Sequence, residues 1–308
     1  MLRQVFLWAS ENAWFRQRLP RYGFVLRAVS RFMPGEDLAS ALTATGEMNA
    51  AGMGSVLTLL GENVKDETDA SAVVRHYVEV MEAIAARSLD AEVSVKLTHL
   101  GLDVDPSLAA ANLIRIAARA AELRQEVAVD MEGSAYTDRT LALYREVKAV
   151  HPNVGLCLQS YLRRTPADLE SLLPLRPMIR LVKGAYAEPP AIAFPSKAEA
   201  DAQYLSLGQR LLEAAGPRGG PRVVFGTHDR RLIAELIHRA GARGLPPTAY
   251  EFHLLYGIGR QEQQRLAQAG HRVRVLISYG TAWFPWYMRR LAERPANVWF
   301  VVRNLFAR

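Results

Sequence analysis

The chain holds one cysteine, Cys157, among 308 residues. No intrachain disulfide can form, so the fold rests on packing and hydrogen bonds, and a reducing compartment suits it. Cys157 lies in the apolar run Val154-Gly155-Leu156-Cys157-Leu158, the setting of a small core residue rather than a nucleophile. No apolar run approaches the ~20 residues of a membrane-spanning helix. The N-terminus lacks the continuous apolar stretch of a secretory signal. Zinc-ligand spacing and the aromatic signature of an RNA-binding sheet are both missing. Blocks of like charge are missing too: 38 Lys+Arg against 31 Asp+Glu, a net +7, are spread along the chain. That balance suits anionic small molecules or an acidic membrane surface, and with no recognition motif present it argues against nucleic acid. Internal repeats and low-complexity tracts are absent.

What is present is an alternation. Half of the chain is apolar. Short β-rich runs predict strands at Ser55–Leu59, Glu92–Lys96, Glu126–Asp130, Val154–Leu158, Ile179–Lys183, Val223–Phe225, Tyr250–Leu254 and Arg272–Ile277. Helical patterns fall between them at Ala70–Ala86, Ser107–Leu123, Asp138–Val150, Asp201–Ala215, Arg231–Ala240 and Gln261–Ala269. Several strands are apolar on both faces, as parallel strands covered by helices are. Eight β/α units in roughly 250 residues predict an α/β fold, a (β/α)8 TIM-like barrel. A doubly wound sheet is the rival, but it is marked by a glycine-rich first turn. None follows the first strand here, and Gly257-Ile258-Gly259 is a fragment of that pattern in the wrong place. Residues 1–50 read as an N-terminal helical extension and residues 51–308 as one barrel domain, with 216–222 a tight loop. Residues 1–33 carry six arginines and one acid, Glu11, in an amphipathic pattern. A transit peptide looks similar, a basic surface helix is simpler, and a peripheral membrane face is a third reading.

In a barrel of this kind chemistry is placed at the C-terminal ends of the strands. Those ends carry Glu62, Lys96, Asp130, Gln159-Ser160, Lys183-Gly184 and Thr227-His228-Asp229. Lys96 can act as a Schiff-base lysine, supply charge for an anion, or simply pair with Asp130. Asp130 and Glu132 share one side of an extended segment and can serve as paired carboxylates, although a lysine counter-ion is an equal reading. His228 has no second His or acid at ligand spacing, so no metal site is expected. Near the C-terminus Arg289 and Arg290 are adjacent on a helix-like run, about 100° apart around its axis. Two guanidinium forks can flank a small carboxylate or phosphate, while the plainer reading is a solvated basic face.

Six of these segments occur in a telling order: Ser94-Val95-Lys96-Leu97-Thr98, Val129-Asp130-Met131-Glu132, Leu158-Gln159-Ser160-Tyr161-Leu162, Arg180-Leu181-Val182-Lys183-Gly184-Ala185-Tyr186, Thr227-His228-Asp229 and Arg289-Arg290-Leu291-Ala292-Glu293-Arg294-Pro295. Together they resemble the bacterial monofunctional proline dehydrogenases, and the resemblance spans essentially the whole chain. It implies a distorted (β/α)8 barrel whose last helix lies over the mouth. It also implies noncovalent FAD, oxidation of L-proline to Δ1-pyrroline-5-carboxylate, and reoxidation by a quinone. It implies that Arg289, Arg290 and Lys96 clamp the substrate carboxylate, that Asp130 holds the basic cluster, and that Glu62 pairs with Arg289 on closure. Gln159, Arg180, Val182, Lys183, Gly184, Ala185, Thr227, His228 and Glu293 would contact the flavin, and Leu255 the substrate ring. A cytoplasmic enzyme, with peripheral contact to the inner membrane as a variant of that placement, follows from the same resemblance.

The chain departs from the family pattern around the expected ring site. Leu276-Ile277-Ser278-Tyr279-Gly280 stands for Tyr-x-Pro-Tyr-Gly, so Leu276 replaces a substrate-facing tyrosine. Gly280-Thr281-Ala282-Trp283-Phe284 stands for Gly-Arg-Asp-Trp-Tyr, and Trp286 replaces a second tyrosine. His253 takes the place of a glutamine. Leu276, Tyr279 and Trp286 are thus expected to line the substrate pocket with Leu255. Either Leu276 and Trp286 compensate in volume around proline, or the pocket serves another cyclic or secondary amino acid such as a hydroxyproline. A non-redox Schiff-base lyase using Lys96 is the alternative from a different class.

Overall fold

Eight strands run parallel and close on themselves in sequence order. In the computed structural model, which describes residues 29–215, 220–284 and 287–288, they are β1 (Gly54–Leu59), β2 (Ala91–Val95), β3 (Val127–Val129), β4 (Val154–Gln159), β5 (Met178–Val182), β6 (Arg222–Gly226), β7 (Tyr250–Leu255) and β8 (Arg272–Tyr279). The seam is continuous: β1 pairs with β8 from Gly54↔Arg274 to Leu59↔Tyr279. The helices are α1 (Leu38–Ala50), α2 (Glu67–Ala86), α3 (Pro106–Glu122), α4 (Thr137–Val150), α5 (Thr165–Leu172), α6 (Lys197–Ala214), α7 (Arg230–Ala242) and α8 (Arg260–Gln268).

Local chemistry fixes where the helices begin. Asp37, Asp66, Asp105 and Asp229 each accept a hydrogen bond from a backbone N–H of the first turn. Ser196 and Glu199 form a reciprocal capping box at α6. Such caps satisfy donors that the helix itself leaves open. The helix at Thr165–Leu172 is not predicted by the sequence periodicity. It has eight residues, too few to show a 3.6-residue repeat, and Pro166 sits at its first turn where proline is tolerated.

The core lies between the strands and the helical ring. Val93, Val95, Leu113, Ile116, Leu156, Leu181, Phe225, Leu236, Phe252, Val275 and Ile277 are all fully buried there. Of the extension expected over residues 1–50, α1 is present and packs against β1 and β8, while residues 1–28 lie outside the described set. Residues 29–37 meet the segment that follows β8. Trp283 donates its indole N–H to Glu36 at 2.6 Å, and the rings of Phe32 and Tyr287 lie 6.0 Å apart.

Strand alternation sends every second side chain inward. At the floor, the N-terminal end, Arg222 joins Glu251 in a two-pronged pair at 2.8 and 2.7 Å. It also reaches Glu92 at 2.8 Å and Glu126 at 2.7 Å. Arg274 reaches Asp90 at 2.7 Å and lies 3.5 Å from Glu251. Burial alone would raise Glu251, but the hydrogen bonds and charge of Arg222, with His253 beside it, hold its carboxyl well below the usual range. Above this layer Ala128, Met178 and Val224 form a small apolar plug.

Candidate active site at the barrel mouth

Three strands are each one residue shorter at their C-terminal ends than the sequence pattern predicts. Lys96, Asp130 and Lys183 therefore stand just beyond β2, β3 and β5 rather than on them. The side chains of Lys96 and Asp130 meet over the barrel interior. Lys96 Nζ is 3.7 Å from Asp130 Oδ2. On its other oxygen Asp130 accepts a hydrogen bond from Arg180 Nη2 and one from Ser94 Oγ at 2.9 Å. Arg180 also donates to Ser94 Oγ at 2.9 Å. One carboxylate thus serves two cations. Burial disfavours the charge on Arg180, but Asp130 together with Cys157 and Glu92 outweighs it and raises the pKa.

The walls around this cluster are accessible. Val182, Gly226, Leu255 and Leu276 are partly exposed although they belong to inner strand positions, as do Lys96 and Asp130. A hollow therefore opens at the mouth with cations at one side and aliphatic carbons at another. Gly226 contributes by its missing side chain: a Cβ there would stand 2.8 Å from Val182 Cγ1. Gly184 has φ +125°, and a Cβ would lie 2.1 Å from the ring of Tyr161. Glycine is required at that turn by both conformation and contact.

Two buried polar atoms beside the hollow have no hydrogen-bond partner among the described residues. Gln159 donates its amide to the carbonyls of Met131 and Glu132 at 3.0 and 2.8 Å, leaving the buried Oε1 without a hydrogen bond. Arg180 Nη1 is also buried without a hydrogen-bond partner, with only the Cys157 thiol, a weak acceptor, beside the guanidinium. Buried polar atoms are rarely left so unless a ligand or water meets them. His228 Nε2 accepts the N–H of Leu255 at 2.9 Å, which places the ring proton on Nδ1. Thr227 accepts from the backbone N–H of Asp229. The Lys183 amine is held between Asp201 at 2.5 Å and Asp229 at 3.1 Å. Its charge is thus committed to two carboxylates and not to the hollow. Ala185 follows Gly184 in the same partly exposed turn.

Two expectations are corrected. Tyr279 is not a pocket residue. By alternation it lies on the face opposite Leu276, it is buried in the outer core, and its hydroxyl meets His76 Nε2 of α2 at 2.9 Å. Glu132 is not an acid–base partner of Asp130. Its carboxylate is consumed by Thr98, through the backbone N–H at 3.1 Å and the hydroxyl at 2.6 Å, and burial raises its pKa. Nearby, burial and then the charge of Lys96 lower the His99 ring to about 4, with Glu62 opposing, so His99 is neutral at pH 7. Glu62 stands partly exposed beyond β1 beside this ring. Arg289, Arg290, Glu293 and Trp286 lie outside the described residues. Among the described residues no group of three or more His, Cys, Asp or Glu is placed to hold a metal ion. Sequence reasoning missed Ser94 and Gly226. Ser94 lies two residues before Lys96 and so on the same inward face, a signal that strand periodicity does carry.

Comparison with known proteins agrees with this geometry. Residues 41–303 match the family model described as proline dehydrogenase. The chain is 37% identical over 305 residues to "Proline dehydrogenase 1" of Bacillus subtilis (strain 168), covering 99% of both chains. It is 38% identical over 282 residues to "Proline dehydrogenase" of Deinococcus radiodurans, covering 89% of each. Among solved structures, proline utilization A from Bdellovibrio bacteriovorus, inactivated by N-propargylglycine, superposes with a TM-score of 0.82 at 24% identity. The match covers 95% of this chain and 36% of that one, and it speaks for the fold alone. A closed parallel barrel, a cationic mouth and relatives aligned from end to end make this chain a member of the proline dehydrogenase family.

Proposed function

We propose that the chain oxidises L-proline to Δ1-pyrroline-5-carboxylate as a FAD-dependent enzyme. The observation that carries this reading is the mouth cluster, in which Lys96 and Arg180 share the single carboxylate of Asp130 beside a hollow walled by Leu255 and Leu276. Lys96 would bind the proline carboxylate, with Arg289 and Arg290 completing the clamp and Glu62 pairing with Arg289. Asp130 keeps Lys96 from leaving for solvent. The cationic surroundings disfavour the ammonium form of the substrate, and a neutral amine is the form that releases hydride from the adjacent ring carbon. Leu255 and Leu276 would pack against the ring and exclude water, which helps to fix the reacting carbon. The residues present fit a flavin: Gln159 Oε1 and Arg180 Nη1 offer an acceptor and a donor in the wall, and His228 would line the site beside them. Val182, Lys183, Gly184, Ala185 and Thr227 would line its site, with Glu293. Bound FAD would supply the two-electron acceptor for the hydride.

The reduced cofactor would be reoxidised by a quinone. Among the described residues no helix is long and apolar enough to cross a membrane, so contact with a quinone-bearing membrane would be peripheral, through the basic residues 1–33 of an otherwise cytoplasmic protein. The organisation proposed is an extension over 1–50 and a catalytic barrel over 51–308. A second substrate, another cyclic or secondary amino acid, is favoured by Leu276, which presents an aliphatic wall where the family has a hydroxyl.

The test is direct. Purified protein should carry FAD, absorb in the visible, and bleach when proline is added without oxygen. A screen of proline, hydroxyproline, pipecolate and N-alkyl amino acids ranks the substrates. Protein that takes up no flavin, or that is trapped on Lys96 by borohydride with a carbonyl substrate, would contradict the reading and favour a lyase.

A further inference from the structure

Ser94 is fully buried inside the barrel, on β2, two residues below Lys96. Its hydroxyl is a junction: it donates to Asp130 Oδ1 at 2.9 Å, with the Ala128 carbonyl a longer alternative at 3.3 Å, and accepts from Arg180 Nη2 at 2.9 Å. Arg180 Nη2 bonds the same Oδ1. Three groups therefore close a triangle around one oxygen of Asp130. The consequence is a division of labour between the carboxylate oxygens. Oδ1 is fixed by Ser94 and Arg180, and Oδ2 faces Lys96 at 3.7 Å.

The backbone under Ser94 is held as well. Pairing of β1 with β2 ends at Leu57↔Val93, and beyond it the strands part. The hydroxyl of Tyr77, from α2, fills the gap: it accepts the N–H of Leu59 at 3.1 Å and donates to the carbonyl of Ser94 at 2.8 Å. Tyr77 is itself fully buried. Ser94 is thus anchored from outside the barrel while its side chain orders charges inside it.

We infer that Ser94 is a positioning residue of the mouth, one that fixes the rotation of Asp130 so that Lys96 is held toward the substrate carboxylate. The inference rests on the proline-binding reading of this mouth. Without the hydroxyl, Asp130 keeps Arg180 but loses the second hydrogen bond that defines its plane, and Oδ2 no longer holds Lys96 in place. The loss falls on substrate binding and not on flavin retention, because Arg180 stays paired. A residue that merely filled space would instead lower thermal stability and leave the Michaelis constant alone.

The experiment uses the full-length flavin-loaded protein with three substitutions. Ser94→Cys is nearly isosteric and a weak hydrogen-bond former, Ser94→Ala removes the group, and Ser94→Thr keeps a hydroxyl. Readouts are KM and kcat for proline, flavin content, and the dissociation constant of cyclopentanecarboxylate, a carboxylate without the ring nitrogen. For Ser94→Cys and Ser94→Ala we expect KM and that dissociation constant to rise about tenfold, a single hydrogen bond to a charged group. In both, kcat should fall less than threefold and flavin content should be unchanged, while Ser94→Thr should lie closer to wild type than either. An active wild type whose KM is matched within twofold by Ser94→Cys and Ser94→Ala overturns the positioning role alone. So does a KM for Ser94→Thr above that of Ser94→Cys. A wild type that neither takes up flavin nor bleaches with proline overturns the functional reading, and the positioning role with it.

Discussion

The two ends of the barrel solve opposite electrostatic problems with the same residue types. At the floor one cation, Arg222, is shared by three carboxylates, Glu92, Glu126 and Glu251. At the mouth one carboxylate, Asp130, is shared by two cations, Lys96 and Arg180. At the floor every hydrogen-bonded nitrogen of the Arg222 guanidinium already has a carboxylate partner. The mouth leaves an unmatched donor, Arg180 Nη1, and an unmatched acceptor, Gln159 Oε1, beside an accessible hollow. Buried ion pairs hold a barrel together only when their partners are complete. An incomplete cluster costs stability and is kept where a ligand finishes it.

The sharpest way to break this contrast is to remove the shared member at each end. Arg222→Met leaves Glu92 and Glu251 buried without their main cation, and the expected cost is about 3–5 kcal/mol of stability. Urea unfolding measures it, with kcat per folded molecule unchanged. The same cluster sets an acid limit. Glu92 and Glu251 have folded pKa values below their ordinary 4.5, so they add stability above that pH and lose it as the pH falls through the folded values. Stability should decline below about pH 4.5, and Glu251→Gln should flatten that limb at the expense of stability at pH 7. Lys96→Met at the mouth should instead lower kcat/KM for proline about 100-fold, roughly 2.7 kcal/mol, and shift the unfolding midpoint little.

Smaller effects sharpen the map. Gly184→Ala forces a side chain onto a left-handed backbone and against Tyr161, with a strain of about 1–3 kcal/mol. Flavin content should fall more than proline KM rises. Tyr279→Phe should cost about 1 kcal/mol of stability through the lost bond to His76 and leave KM unchanged. A large rise in KM would return Tyr279 to the pocket.

The barrel was legible because burial on both faces of β4 writes an apolar run, β7 alternates Glu251 and His253 with apolar residues, and the helices between strands write a 3.6-residue repeat. The short helix Thr165–Leu172 was not, since two turns show too little of that period. The positions Lys96, Asp130 and Arg180 followed from motif order. Their roles did not, because the division of Asp130 between two cations depends on where three separate strands end in space. Tyr279 was misread for a related reason. A residue next to a pocket motif in sequence lies, one step along a strand, on the other face of the sheet. Periodicity places Ser94 on the inward face with Lys96, but its part in ordering Asp130 shows only once its neighbours across the barrel are known.

The claim beneath all of this is that the mouth grips an organic anion. Proline and prolinamide share the ring and the reacting carbon, and prolinamide lacks the carboxylate charge, so anaerobic bleaching of the flavin-loaded protein by each, at a pH where both amines are neutral, tests it most directly. The account predicts that prolinamide reacts with a kcat/KM at least about 100-fold lower, the loss of charge-assisted hydrogen bonds worth roughly 2.7 kcal/mol or more. Equal bleaching by the two would show that the cations at the mouth do not hold the substrate.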